Sequence, residues 1–166
     1  MTAASDLAAV EAQLGREPRG VLGIAHRCPC GLPDVVETAP RLPDGTPFPT
    51  LFYLTCPRAT AAMSRLEAAG LMREMTERLG ADPELRSAQI SAHEGYASLR
   101  ASAAAQAGVD PLPQGSPTAG GMPDRVKCLH ALAAHELAAP GSNRLGAEAL
   151  EAAGPWWEPG PCVPRG

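Results

Sequence analysis

Val21-Leu-Gly-Ile-Ala-His-Arg-Cys-Pro-Cys-Gly-Leu-Pro-Asp-Val-Val-Glu-Thr38, with Thr50-Leu-Phe-Tyr-Leu-Thr-Cys-Pro-Arg58 after it, is the stretch whose reading decides the fold. Short β-branched or apolar runs lie at 21–25, 34–38 and 50–55, bounded by Gly and Pro. The run at 50–55 is the strongest, a continuous apolar segment that includes Phe52 and Tyr53. The turn from Cys30 to Pro33 is too short for a parallel crossover, so the first two runs form a hairpin. The Pro/Gly-rich connection at 39–49 then reverses the chain again. A three-stranded antiparallel meander over about 20–56 follows. Cys28 and Cys30 come after its first strand and Cys56 after its third, so the three sulfurs are expected at one edge of the sheet.

Outward from the meander the chain reads as helical. Residues 5–15 predict a short helix capped by Ser5 or Asp6, with Leu7, Val10 and Leu14 on one face and Gly15 as its end. Pro57 suits the first position of a helix to about Leu79, with Met63, Leu66, Met72, Met75 and Leu79 as its apolar stripe. Asp82-Pro83-Glu84 opens the next helix, which buries Leu85, Ala92, Tyr96 and Leu99 and runs to about residue 106. Residues 108–121 read as a flexible loop, and their glycines make no P-loop because no Gly-Lys-Ser/Thr ending is present. Met122-Pro123 starts a helix to Ala139, and Ser142 or Asn143 caps a last one ending at Gly154. The Pro/Trp tail at 155–166 cannot fold alone and is expected to pack back through Trp156 and Trp157. The expected fold is α+β: the meander packed against about five helices, in a single domain over 1–166.

Composition narrows the function classes. Apolar residues make up 45% and charged residues 19%, which is globular, and the net charge of −4 argues against general nucleic-acid binding. No run of 18 apolar residues and no basic-then-apolar N-terminus occurs, so neither a membrane span nor a signal peptide is expected, and a cytoplasmic location is. Arginine outnumbers lysine thirteen to one, a mark of genome composition rather than chemistry.

Five cysteines, an odd number, do not read as a disulfide framework in a reducing compartment. Single cysteines are commonly small buried hydrophobes. The Cys28-Pro29-Cys30 pair, however, sits in a Pro/Gly turn where burial is not expected. Cys28, Cys30, Cys56 and Cys128 are therefore candidate metal ligands, with Cys162, His130 and His135 as alternates. Thiolates suit zinc and iron–sulfur clusters alike. On a 122–139 helix Cys128 and His135, seven apart, share a face and His130 points elsewhere.

Arg27-Cys-Pro-Cys-Gly31, Thr38-Ala-Pro-Arg-Leu-Pro-Asp-Gly-Thr-Pro-Phe-Pro-Thr-Leu-Phe-Tyr-Leu-Thr-Cys-Pro-Arg58 and Gly121-Met-Pro-Asp-Arg-Val-Lys-Cys-Leu-His-Ala-Leu132 together resemble an uncharacterised actinobacterial family, domain of unknown function 501. The resemblance covers nearly the whole chain and implies no activity. Members are often encoded beside enolase, a septum-formation initiator protein and an exopolyphosphatase, an association with cell division rather than a mechanism. One departure is Asn143-Arg-Leu-Gly146, where the family favours Asn-Pro-x-Gly.

Three function classes fit these residues. The first is a cysteine-ligated protein binding zinc or an iron–sulfur cluster. The second is a thiol-dependent or metal-assisted enzyme on an anionic, phosphate-bearing substrate held by Arg27, Arg41, Arg58, Arg125 and Lys127. There Cys56, just before a helix N-terminus, is the thiol expected to have a lowered pKa. The third is a non-catalytic partner of cell-division or envelope proteins, anchored by its tryptophan tail, with the cysteines holding no metal.

Overall fold

A computed structural model describes residues 3–165. Strands β1 (Val21–Arg27), β2 (Pro33–Thr38) and β3 (Phe52–Leu54) form one antiparallel sheet in the order β1-β2-β3. Val21 is the register partner of Thr38 and Arg27 of Pro33, while Val35 faces Leu54 on the other side. β2 is the central strand, and Pro33, Asp34, Val35 and Val36 are all buried in it. The hairpin turn is the cysteine motif itself: Gly31 N–H donates to Cys28 O, Cys28 N–H donates to Leu32 O, and Gly31 takes φ +90°. β1 thus runs two residues beyond Ala25. β3 is shorter than 50–55, and at its start the Leu51 and Phe52 N–H groups donate to Tyr96 Oη (2.6 and 3.3 Å).

Six helices lie among the described residues: α1 (Ala4–Leu14), α2 (Pro57–Ala68), α3 (Leu71–Ala81), α4 (Pro83–Ala107), α5 (Leu129–Ala138) and α6 (Arg144–Ala153). The single helix expected from Pro57 to Leu79 is two helices, broken where Gly70 adopts φ +91°. Its apolar stripe bridges the break, with Met63, Met75 and Leu79 fully buried. The helix expected over 122–139 begins only at Leu129. Before it, Val126 N–H donates to Thr76 Oγ1 and Lys127 N–H donates to Gly120 O, so tertiary partners take the amides that a helix start would use. α1 starts ahead of the expected Ser5 or Asp6 cap: its N-cap is Ala3, which has no side chain to cap with, Asp6 in its first turn binds Arg27, and Leu7 is exposed. On α4 Asp82 caps as expected, but Leu99 is exposed and Gln89 and Arg100 are buried. The 108–121 loop is tied down by Arg100 Nη1, which donates to Pro117 O and Pro49 O, and by Arg41, which donates to Asp110 O and Pro111 O. Of the tail, residue 166 lies outside the described residues. No helix among the described residues is long and apolar enough to cross a membrane.

Tyr96 connects α4 to the sheet through the two amides that its hydroxyl accepts. Tyr96→Phe would leave both buried N–H groups without an acceptor, each worth about 1 kcal/mol or more. We expect a loss of about 2 kcal/mol, read as a fall of roughly 6 °C in the thermal midpoint of a chain this size. An unchanged midpoint would show that water replaces the hydroxyl.

Candidate metal centre

The N-terminus of α5 is built on a residue from another helix. Cys128 is extended (φ −154°, ψ 115°) and its side chain caps nothing. Glu67, in the last turn of α2, takes over: its Oε1 accepts the Leu129 N–H (3.1 Å) and bonds His130 Nδ1 (2.7 Å). A carboxylate at a helix N-terminus is favoured by the unpaired amides and by the dipole. On the far side of the ring, His130 Nε2 lies 3.3 Å from Ser64 Oγ. The ligand atoms of Glu67, Cys128 and His130 all lie within 4.8 Å of one another, and all three residues are half-buried. The Cys128 sulfur beside the ring, and then Glu67, push the His130 pKa up to about 9, against the pull of burial. Cys128 and His130 line a cleft of about 370 Å³ together with Thr50, Phe52 and Tyr53.

The other four cysteines lie in two pairs. Cys28 and Cys30 are in contact across the hairpin turn, and burial, then Cys30 and Asp34, push the Cys28 thiol up to about 12. Cys56 is the N-cap of α2, and the Cys162 sulfur lies against it. The amides of Ala59 and Arg58 favour a Cys56 thiolate, but burial outweighs them and the thiol is pushed up to about 11. At Cys56 burial therefore outweighs the helix N-terminus, and the expected lowering of its pKa is replaced by a rise. Cys162 is half-buried and accepts from Gln13 Nε2 (3.4 Å). Among the described residues, Glu67, Cys128 and His130 are the only such ligand group, so Cys128 is not gathered to ligand distance with Cys28, Cys30 and Cys56.

His135 does not face Cys128. The pair was placed on one face by helical periodicity, which fails because Cys128 is not helical. The His135 ring is buried, stacked on Phe52 (6.1 Å) and edge-on to Tyr96 (5.1 Å). Asn143 Nδ2 donates to its Nδ1, which leaves Nε2 carrying the proton. Nε2 has no protein partner, beside a cavity of about 20 Å³ that has room for one water.

Of the five basic candidates, three make hydrogen bonds within the chain. Arg27 is paired with Asp6 through two bonds of 2.8 Å. Arg41 and Arg58 donate to backbone carbonyls of the chain, and Arg125 and Lys127 are exposed. Trp156 is buried against the core and Trp157 half-buried, so the tail packs back onto the body as expected, and both rings line an apolar cleft with Leu137 and Leu150. Glu67 had no signal of its own in the sequence. It lies 63 residues from His130 and reads there as an exposed helical acid.

A model of the family described as "Protein of unknown function (DUF501)" matches residues 24–151, which include Glu67, Cys128 and His130 and end before Cys162. No curated protein and no solved structure matches the chain.

Proposed function

We propose, given that the chain belongs to the DUF501 family of unknown function, that it binds a zinc ion through Glu67, Cys128 and His130. The observation that carries this reading is the convergence of three different donor atoms within 4.8 Å. One thiolate, one imidazole and one carboxylate match the borderline softness of zinc, whereas an iron–sulfur cluster calls for more thiolates. Around an ion with bonds of about 2.0–2.3 Å at tetrahedral angles, neighbouring donors lie roughly 3.3–3.8 Å apart. The 2.7 Å bond from His130 to Glu67 would open by about half an ångström to admit the ion.

Three protein ligands leave a fourth position, and the cleft beside Cys128 supplies access to it. An ion open in this way polarises a bound water or a substrate carbonyl, which is the chemistry of a metal-assisted hydrolytic site rather than of a closed structural one. The Phe52 and Tyr53 side of the cleft favours a substrate with an apolar part next to its polar group.

Elemental analysis of the full chain tests the proposal. About one zinc per chain is expected, with a roughly ten-fold or greater loss in Cys128→Ser and in His130→Ala at unchanged circular dichroism. Cobalt substituted for zinc should show a thiolate-to-metal absorption that Cys128→Ser abolishes. Zinc retained in both variants would overturn the reading. A zinc-free protein in which only Cys128 is rapidly alkylated would do so too, and would make Cys128 and His130 a nucleophile and its base.

A further inference from the structure

We propose that Cys28, Cys30, Cys56 and Cys162 form a second, all-thiolate centre that holds an iron–sulfur cluster and is closed by the returning tail. Two halves of the site come from the sheet. Arg27 pairs with Pro33 on one side of β2, and Thr55 N–H donates to Asp34 O on the other. The residues that follow, Cys28 and Cys56, therefore leave the sheet at the same end, two strand spacings or about 10 Å apart. Both are buried in one core (4% and 1% exposed), with Cys30 and Cys162 packed against it.

The fourth thiol is delivered across more than a hundred residues by a strap with its own fastenings. Arg58 Nη2 donates to Pro161 O, Gln13 Nε2 donates to both Cys162 Sγ and Pro33 O, and Arg165 donates to Cys30 O. These bonds run from the start of α2 to the hairpin turn and set Cys162 beside Cys56. Gln13 Oε1, in a side chain only 9% exposed, points to no protein partner at this place.

Four thiolates with no nitrogen or oxygen donor among them suit zinc or an iron–sulfur cluster. The spread separates the two. Among the described residues no three of these sulfurs lie mutually within 4.8 Å, whereas a tetrahedral zinc holds its sulfurs about 3.8 Å apart. A cluster interposes several iron and sulfide atoms between its thiolates and tolerates the wider frame. The cysteines of the two centres do not overlap, so each proposal can fail without the other.

The test is anaerobic purification of the full chain, then treatment with ferric iron, sulfide and a thiol reductant. A brown protein with broad visible absorption and matching iron and acid-labile sulfide is expected. Cys162→Ser, a tail substitution that leaves the buried core intact, should lower bound iron by roughly ten-fold with circular dichroism unchanged. Cys56→Ser should do the same, while Cys128→Ser keeps the colour and loses only zinc. A colourless wild-type protein after treatment would overturn the proposal. So would full iron retention in Cys162→Ser, or zinc rather than iron lost with these cysteines.

Discussion

Gly146→Ala is expected to lower the thermal midpoint by roughly 10 °C, since among the described glycines an added Cβ meets its tightest contact here. Gly146 sits in the first turn of α6, where the helix crosses α5. A Cβ there would collide with the Leu132 carbonyl oxygen, 2.8 Å from its carbon and 3.1 Å from Glu136 Cβ. Two of those three atoms are backbone, so no rotamer change relieves them. The position is helical with no positive φ, and on propensity alone alanine would be favoured by about 1 kcal/mol. Steric overlap therefore acts alone, and α5 and α6 must move apart along a face that carries the buried Leu145 and Ala149. Overpacking of this kind costs about 3 kcal/mol or more, at roughly 2–4 °C per kcal/mol for a chain of this size. The same residue explains the Asn143-x-x-Gly146 spacing. Asn143 Oδ1 accepts the Gly146 N–H (2.8 Å), and residue 144, the first helical position, is one where proline would fit as well as the arginine present. Thermal unfolding by circular dichroism checks the prediction, and a fall of under about 1 °C would mean the helices separate freely.

Acidification should remove about 3 kcal/mol of stability through His135 alone. The ring is buried, with its aromatic neighbours Phe52 and Tyr96 offering no counter-charge, and burial pushes its pKa down to about 4 despite some pull from Glu136. In the unfolded chain the group titrates near 6.5. A histidine whose folded pKa is depressed binds its proton first in the unfolded state. Its stabilising contribution is therefore complete above about 6.5 and is lost as pH falls toward 4. A gap of about 2.5 units at 1.36 kcal/mol each gives the magnitude. Asp34, whose carboxyl is pushed up by burial, also responds to acid, so the comparison must be with His135→Gln. That variant keeps an acceptor for Asn143 and cannot charge. Urea midpoints of the two proteins at pH 7 and pH 4 isolate the histidine, and parallel losses in both would assign the acid sensitivity elsewhere.

The meander was legible in the residues because its determinants are local. β-branched runs, a Cys-Pro-Cys-Gly turn needing a left-handed glycine, and a connection full of prolines act within a few residues of where they stand. The same holds for α4, whose Asp82-Pro83-Glu84 start was read correctly from three adjacent residues. Locality also accounts for the misreadings. A periodic apolar stripe from Met63 to Leu79 continues across the kink at Gly70, since both helices face one core and the pattern reports the core rather than helix continuity. Met122-Pro123 resembles a helix start, but the amides that follow were taken by Thr76 and Gly120, partners that only the folded chain brings near.

For the candidate centres the division is sharper. Residue chemistry by itself picked out the cysteines, His130 and His135 as residues whose atoms could ligate a metal. How they group was decided by tertiary structure, because a ligand set is a matter of ångströms between side chains far apart in sequence. A late helix start turned Cys128 toward His130 instead of His135, and Glu67 came to them from the end of α2 to satisfy amides that Cys128 leaves uncapped. Cys162 reached Cys56 only because Trp156 found a place in the core and Gln13, Arg58 and Arg165 secured the strap that follows it. Donor chemistry is a property of each residue, whereas convergence is a property of the packed whole.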